Sequence, residues 1–564
     1  MYSAEATAVL RAGGTGPAFA GDRLDDDFLR PDEANLGRLA ARVNEFAEQV
    51  SSRRGPRPAL LTSVAPFSYG QTVEGAELPF EPQSREVAVT AALEAFEGVW
   101  RPHDPGMMFN LTPSPMLDTV ALTAVTALYN PNGIWDLTSG KFVLTEQRVL
   151  RALGRLAGWS GPVSGTSATG GKATLLYAIK QGLNRCDPGV NDRGVRGRYA
   201  VLCSDRVHYS VESVCAFLGI GRDACHRVPT DSTGSLDVAA LTGRLHDLTA
   251  RGVRVAAVIL AGGAIIDPMP DPVLPVLQAL NGLGLPYLPL VHLDAVVTWP
   301  WLSFLDPRAS VGDGVHPEVR RRILALAERL RGIRHADSFG VDFHKSGLSP
   351  YGSSCFVTRH ATEFRRMVAG SGDNLAPEEG YGDFQVYGRT LENSRQCTGI
   401  ITAAYVLRRL GVCGLRQYVH RLLTMADDLR DVLSREHRSL GDVLNPESLG
   451  ADVMLRLRLG TTGPLRPMDG PAREAYRLLA NRFRNWTVSS AYCRDHPVPL
   501  LGFVPEYEPG LPAWLLHPNS LYTTRSAQSA AMAQLARAVT AFRDGDTTGG
   551  RDNGFGEGRP LPPR

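Results

Sequence analysis

The sequence predicts an α/β fold, a mostly parallel or mixed sheet between helices, and three observations carry that prediction. Short runs of Val, Ile and Leu recur from residue 199 onward, each the length of a buried strand. Stretches with apolar residues at helical spacing stand between them. Where several runs end, a residue able to do chemistry follows, and strand ends are where open α/β sheets bind ligands.

Taken in order, residues 1–33 are rich in Gly, Ala and Asp and are expected to be loosely ordered. A helix over 35–53 follows, with Leu36, Leu39, Val43, Phe46 and Val50 on one face to pack on a neighbour. A second helical stretch, 86–99, leads into an irregular loop over 103–115, and a third helix, 115–128, stops at Asn130-Pro131-Asn132-Gly133. Thr145 and Glu146 open a helix striped by Val149, Leu150, Leu153 and Leu156. Strands are expected at 199–203, 256–260, 287–293, 338–341 and 355–358, with helices at 172–184, 209–219, 236–251, 271–282 and 317–332. Beyond a loop at 370–386 come helices at 394–410, 414–435, 471–484 and 526–543 and one strand at 451–459. The expected organisation is an N-terminal, partly disordered helical segment (1–100), a large α/β domain (101–410), a small C-terminal α+β domain (411–543) and a disordered tail (544–564).

Composition narrows the function. Sixty basic against fifty-eight acidic residues leave a formal net charge of +2, which gives no electrostatic reason to expect nucleic acid or an anionic membrane. A small molecule or a protein is the expected partner. Eight scattered cysteines form no CxxC pair or His cluster, so neither a metal site nor a disulfide framework is indicated. No leader-like segment opens the chain and no later stretch reads as apolar enough to cross a bilayer, so a cytoplasmic location is expected.

The chemistry centres on Lys345, in ADSFGVDFHKSGLSPYGSSCF (336–356), where an apolar segment gives way to a loop. Burial beside His344 is expected to lower its pKa, and a partly neutral amine can form a Schiff base. Asp294 ends an otherwise apolar run in LPLVHLDAVVTWPW; a buried carboxylate needs a partner, either a protonated ring nitrogen or an ordinary Arg, Lys or helix cap. Gly170 and Gly171 precede a helix start that could cradle a phosphate or simply be an N-capped turn. His208, just past a strand, could lie on a flat ligand or serve as a surface cap. Together these supply the anchor, counter-charge, stacking group and phosphate site that pyridoxal 5′-phosphate requires.

At these residues the chain resembles the pyridoxal-phosphate-dependent group II amino-acid decarboxylases of fold type I. HLDAV (292–296) is similar to that family's HVDAA, ADSFGVDFHKSGLSPY (336–351) to its lysine segment, and SATGGKATLLYAI (167–179) to its phosphate loop. SDRVHYSVE (204–212) resembles the ring-stacking segment, and TLENSRQCTG (390–399) resembles the tyrosine decarboxylase and sphingosine-phosphate lyase branches. The resemblance implies a Lys345 aldimine, Asp294 on the pyridine nitrogen and His208 stacked on the ring. It also implies Val296 on the opposite ring face and phosphate contacts from Gly170, Gly171 and His344. A homodimer with the site at the interface is implied, with Ser353 and Ser354, or Ser394 and Arg395, reaching a neighbour's cofactor.

Decarboxylation of an aromatic or related L-amino acid to the amine is the leading reading. A lyase, an aldehyde-forming oxidative deaminase or a biosynthetic tailoring enzyme on the same fold is the alternative, and a non-catalytic paralogue the second. The family's proton donor is a tyrosine on a mobile loop, which points to Tyr387, with Tyr381 beside it. Four departures from the pattern are expected to lie on the substrate side: Phe343 for proline, Val296 for alanine, Gly262-Gly263 without a hydroxyl, and Thr298, Trp299 and Trp301 after HLDAV.

Overall fold

The computed structural model of the chain describes residues 28–62, 67–308, 315–370, 380–460 and 469–546. Most of the N-terminal segment 1–33, the tail beyond 546 and residues 371–379 of the loop that carries Tyr381 and Tyr387 therefore lie outside the described residues. The chain divides into two compact units, one of residues 1–101 with 484–499 and one of 102–483 with 500–564.

The first unit holds the helices Leu36–Ser52, Tyr69–Glu74 and Arg85–Glu94. Within it Arg85 forks onto Glu45 at 2.8 and 3.2 Å, and the buried Arg57 guanidinium donates to the carbonyls of Thr487, Val498 and Pro499. A guanidinium spent on three carbonyls ties residues far apart in sequence without burying a bare charge.

Among the described residues, twelve strands order the second unit: β1 (Met107–Met108), β2 (Ser164–Ala168), β3 (Tyr199–Ser204), β4 (Cys225–Val228), β5 (Arg254–Ala261), β6 (Leu290–Asp294), β7 (Ser338–Asp342), β8 (Ser354–Thr358), β9 (Gly441–Val443), β10 (Val453–Leu457), β11 (Leu500–Glu508) and β12 (Leu511–Leu516). The main sheet runs β2-β8-β7-β6-β5-β3-β4, and only β8 opposes the others. A smaller sheet, β1-β11-β12-β10-β9, is antiparallel except where β1 joins β11.

The period-two pleat divides the core of the main sheet. Ala200 and Leu202 of β3 and Val255, Val258 and Leu260 of β5 enter one apolar cluster, with Leu150 and Leu153 of the helix Phe142–Leu156 and Val319 and Ile323 of Pro317–Leu330. Val201, Cys203, Ala257 and Ile259 enter a second cluster on the other face, closed by Leu175, Ile179 and Leu183 of the helix Gly171–Cys186. The result is three layers, helix, sheet and helix, as the alternating pattern predicts.

The two helices expected at 394–410 and 414–435 are present within Thr398–Asp431 and meet at a kink at Gly411, whose φ of 56° lies in the left-handed region. One reading needs correction: among the described residues one helix, Thr398–Glu436, is long and apolar enough by length and composition to cross a membrane. Its Leu415, Val419, Leu422, Leu423 and Ala426 sit in the main core.

Candidate functional site

Sheet register brings the chemistry to one edge. Ala168 of β2 pairs with Ser354 of β8, and Ser354 with Asp342, the last residue of β7. On the next strand Asp294 ends β6, paired with Gly340 on one side and Ala261 on the other. Parallel strands end on the same edge, and β8 begins there because it runs the other way. Two carboxylates and a serine hydroxyl are thus set side by side at the carboxyl ends of the strands.

Lys345 follows in the short helix Phe343–Ser346. Its Nζ lies 2.9 Å from Asp342 Oδ2, while Asp342 Oδ1 accepts the Ser354 hydroxyl at 2.5 Å. Burial alone would push the Lys345 ammonium down; the Asp342 carboxylate, with Asp294 beyond it, outweighs burial and holds it above the usual lysine value. This corrects the expectation of a lowered pKa. His344 is buried, which keeps its imidazole below the usual value despite Asp342 nearby. Its ring stacks on Tyr351 with centroids 4.7 Å apart.

Asp294 has a different environment. Its Oδ1 is buried with no hydrogen-bond partner, and burial pushes its carboxyl up to about 6 although Lys345 pulls the other way. Of the alternatives weighed for this residue, a helix cap is not what the structure shows, and Lys345 pairs directly with Asp342 instead. An orphaned carboxylate oxygen in a dry position is a costly feature that a cationic N–H would relieve.

The helix Gly171–Cys186 points its first turn at this edge. A Cβ on Gly171 would stand 3.2 Å from both Asp342 Oδ2 and Val296 Cγ1, so the glycine lets the helix start, with N–H groups that have no carbonyl inside the helix, approach the site. Beside Gly170 a Cβ would meet open space. Gly171, Val296, Asp342, Lys345, His344 and Asp294 therefore converge.

Other predicted residues are placed differently. His208 is exposed on the loop after β3, its Nδ1 2.8 Å from Ser210 Oγ and its ring 4.2 Å from that of Tyr209. That loop is held by Arg227, which donates to the carbonyls of Ser204 and Val207 and pairs with Glu212 at 2.8 Å. Ser353 donates to the Pro350 carbonyl and Ser354 to Asp342, both within this chain. Tyr387 is partly exposed and donates to Gln385 at 2.7 Å.

Arg395 is likewise spent within its own chain. It meets Glu146 at 2.5 Å, Thr166 Oγ1 and Ser167 Oγ at 2.8 Å and the Gly133 carbonyl at 2.8 Å. Both charges are almost fully buried, with 4% and 1% of the side chains exposed. The network braces β2 just before the Thr169-Gly170-Gly171 turn and lines a cleft of about 280 Å³ with Ser167, Thr169, Gly352 and Ser394. Arg395→Ala would leave Glu146 buried and unpaired, so a loss of roughly 3–5 kcal/mol is expected in denaturant titration; a change below about 1 kcal/mol would contradict this bracing role.

Residues from three of the departures pack against one another. Phe343 is fully buried with its ring 4.9 Å from that of Trp299, and Trp299 Nε1 donates to the Asp342 carbonyl at 3.3 Å. A Cβ on Gly263 would lie 2.6 Å from Thr298 Cγ2, so the threonine methyl occupies the room that a side chain at 263 would need. The Thr298 hydroxyl bonds the Gly262 carbonyl. Phe343, Trp299, Thr298 and Gly263 are thus packed against one another inside the chain.

Sequence reasoning missed Asp342 as the partner of Lys345. The signal was present: an acid three residues ahead of a lysine at a strand-to-helix turn shares its face.

No family model matches the chain. Among curated proteins it is 28% identical to L-2,4-diaminobutyrate decarboxylase of Rhizobium meliloti over 311 residues, 54% of this chain and 56% of that protein. It is 30% identical to human cysteine sulfinic acid decarboxylase over 232 residues, 41% and 42% of the two chains. The match thus spans about half the length of these relatives. The crystal structure of mouse CSAD in apo form superposes with a TM-score of 0.72 at 16% identity, covering 89% of this chain and 98% of that one. Over about half its length the chain is similar to amino-acid decarboxylases. Its architecture is that of fold type I, and the row formed by Asp294, Asp342 and Lys345 lies at the carboxyl edge of that fold's main sheet.

Proposed function

We propose that this chain is a pyridoxal-phosphate-dependent decarboxylase of an L-amino acid. The observation that carries the reading is the buried Asp294 Oδ1 without a partner, beside a lysine at the carboxyl edge of the sheet. A pyridinium N–H is the donor that such an oxygen fits, and the open helix start at Gly170-Gly171 suits a phosphate. The relatives' names support carboxy-lyase chemistry. They differ in substrate, so the aromatic preference rests on the sequence resemblance alone.

Bound there, pyridoxal phosphate supplies an electron sink for the carbanion left when CO2 departs. The chain's own residues do the rest. Lys345 would hold the cofactor's carbonyl carbon and Asp294 would keep a proton on the ring nitrogen. Val296 would lie against the ring, and His344 with the first turn of the Gly171 helix would hold the phosphate. The resemblance gives the other ring face to His208, which here stands on the exposed loop after β3. A phenol supplies the proton to the substrate carbon. Tyr387 is the assigned donor, so Tyr387→Phe is expected to lower amine formation by about 10²–10³-fold or to divert product toward aldehyde; unchanged rate and product would remove it from that role.

The active form is proposed to be a homodimer. Leu117, Val120, Val125 and Tyr129 leave an apolar face of the helix Leu117–Tyr129 exposed, larger than isolated surface residues give. A cytoplasmic setting is part of the proposal and suits eight free cysteines. Release of CO2 across a panel of L-amino acids, with the organic product identified, tests the function: one amino acid should give stoichiometric CO2 and amine; CO2 with aldehyde and ammonia in place of amine would favour aldehyde-forming oxidative deamination, and consumption without CO2 would favour other lyase chemistry.

A further inference from the structure

Lys345 is met by acids from two strands, and they are not equivalent. Asp342 Oδ2 touches Nζ at 2.9 Å while Ser354 fixes the other oxygen. Asp294, one strand away, acts on the lysine through its charge and keeps an unpartnered oxygen. His344 Nε2 stands 3.5 Å from Asp342 Oδ2, and Tyr351, stacked on His344, completes the titratable groups facing the lysine. We propose that Asp342 is the counter-ion of Lys345 whenever the lysine is free of a carbonyl partner, and so sets how readily Lys345 captures an aldehyde or hands it on. This rests on the reading that Lys345 holds pyridoxal phosphate.

The chemistry follows from the ion pair. A lysine attacks an aldehyde only with its lone pair free, so the ammonium proton must first leave for a base in solution. The C–N bond then forms and the carbonyl oxygen departs as water. Asp342 opposes the first step because it stabilises the ammonium. In the opposite direction an incoming amine takes the carbon and Lys345 leaves, gaining a proton. Asp342 favours that step for the same reason. The Ser354 hydroxyl occupies Oδ1, which leaves Oδ2, 2.9 Å from Nζ, to face the ammonium. Asp342 is therefore a positioning residue that tilts exchange away from the lysine and toward the substrate amine. Asp294 is left for the ring.

The test exploits the composition, because the chain has only four lysines, Lys141, Lys172, Lys180 and Lys345. Reductive methylation of the full-length cofactor-free protein with formaldehyde and cyanoborohydride across pH, read lysine by lysine by mass spectrometry, gives each amine its own profile. In the wild type the Lys345 midpoint should lie above that of exposed Lys141. In Asp342→Asn it should fall by at least about one pH unit, making methylation near neutral pH about tenfold faster, and the visible band formed with added pyridoxal phosphate should grow faster by a similar factor. Lys141 is the internal control. An unchanged Lys345 profile in the variant overturns the proposal. If the variant does not fold by circular dichroism, the wild type decides: a Lys345 midpoint at or below that of Lys141 also overturns it. A raised Lys345 midpoint with no visible band at any pH would instead remove the cofactor reading and leave the ion pair standing.

Discussion

Asp294→Ala is expected to lower amine-forming turnover by about 10²–10³-fold, the usual cost of removing one preorganised electrostatic contact at a reacting centre. The same change should stabilise the cofactor-free protein at neutral pH. Burial holds the Asp294 carboxyl at about 6, above the ordinary value near 4. The folded chain therefore binds that proton more tightly than the unfolded chain does, and the stability it confers is lost as pH rises from about 4 through 6. At pH 7 the residue costs the empty protein about 2–3 kcal/mol. Removing it should raise the denaturant midpoint there and flatten the pH dependence between 4 and 6. A variant that is both less active and less stable at pH 7 would make Asp294 an ordinary structural acid.

Lys345→Ala is expected to have the largest effect, a loss on the order of 10⁴–10⁶-fold, because no other residue at the edge of β6 and β7 carries an amine to hold the carbonyl carbon. Its effect on stability should be opposite to that of Asp294→Ala. Asp342, 1% exposed, would keep its Ser354 bond but lose its cation, and an uncompensated buried charge is destabilising by roughly 3–5 kcal/mol. Urea titration of the cofactor-free variant reads this directly. A fully stable variant would mean that the ion pair contributes nothing to the empty fold.

The contrast between these two acids explains what could and could not be seen in the sequence. Lys345, Asp294 and the Gly170-Gly171 turn were legible because each breaks a local rule: an amine or carboxylate follows an apolar strand, or glycines open a helix. The five strands expected in the large domain were legible for the complementary reason, that runs such as Val255–Leu260 obey the rule for burial on both faces. β2 was not, since SGTSA carries hydroxyls and a glycine in place of branched apolar residues. The glycine is needed because a Cβ on Gly165 would lie 2.0 Å from the Phe356 carbonyl oxygen of the neighbouring strand. β11 was hidden by Pro505, which falls where its pairing with β12 shifts register between Val504 and Glu508. The pairings of Phe343 with Trp299 and of Gly263 with Thr298 depend on residues brought together only by folding, so each looked like an isolated departure.

Lys345 is proposed to be the residue that holds a carbonyl cofactor. Purified protein mixed with pyridoxal phosphate, reduced with borohydride, digested and mapped by mass spectrometry tests it in one experiment. The expected result is a visible band that borohydride bleaches and a phosphopyridoxyl group on Lys345, with Lys141, Lys172 and Lys180 unmodified. Modification spread over the exposed lysines, or none on Lys345, would contradict it.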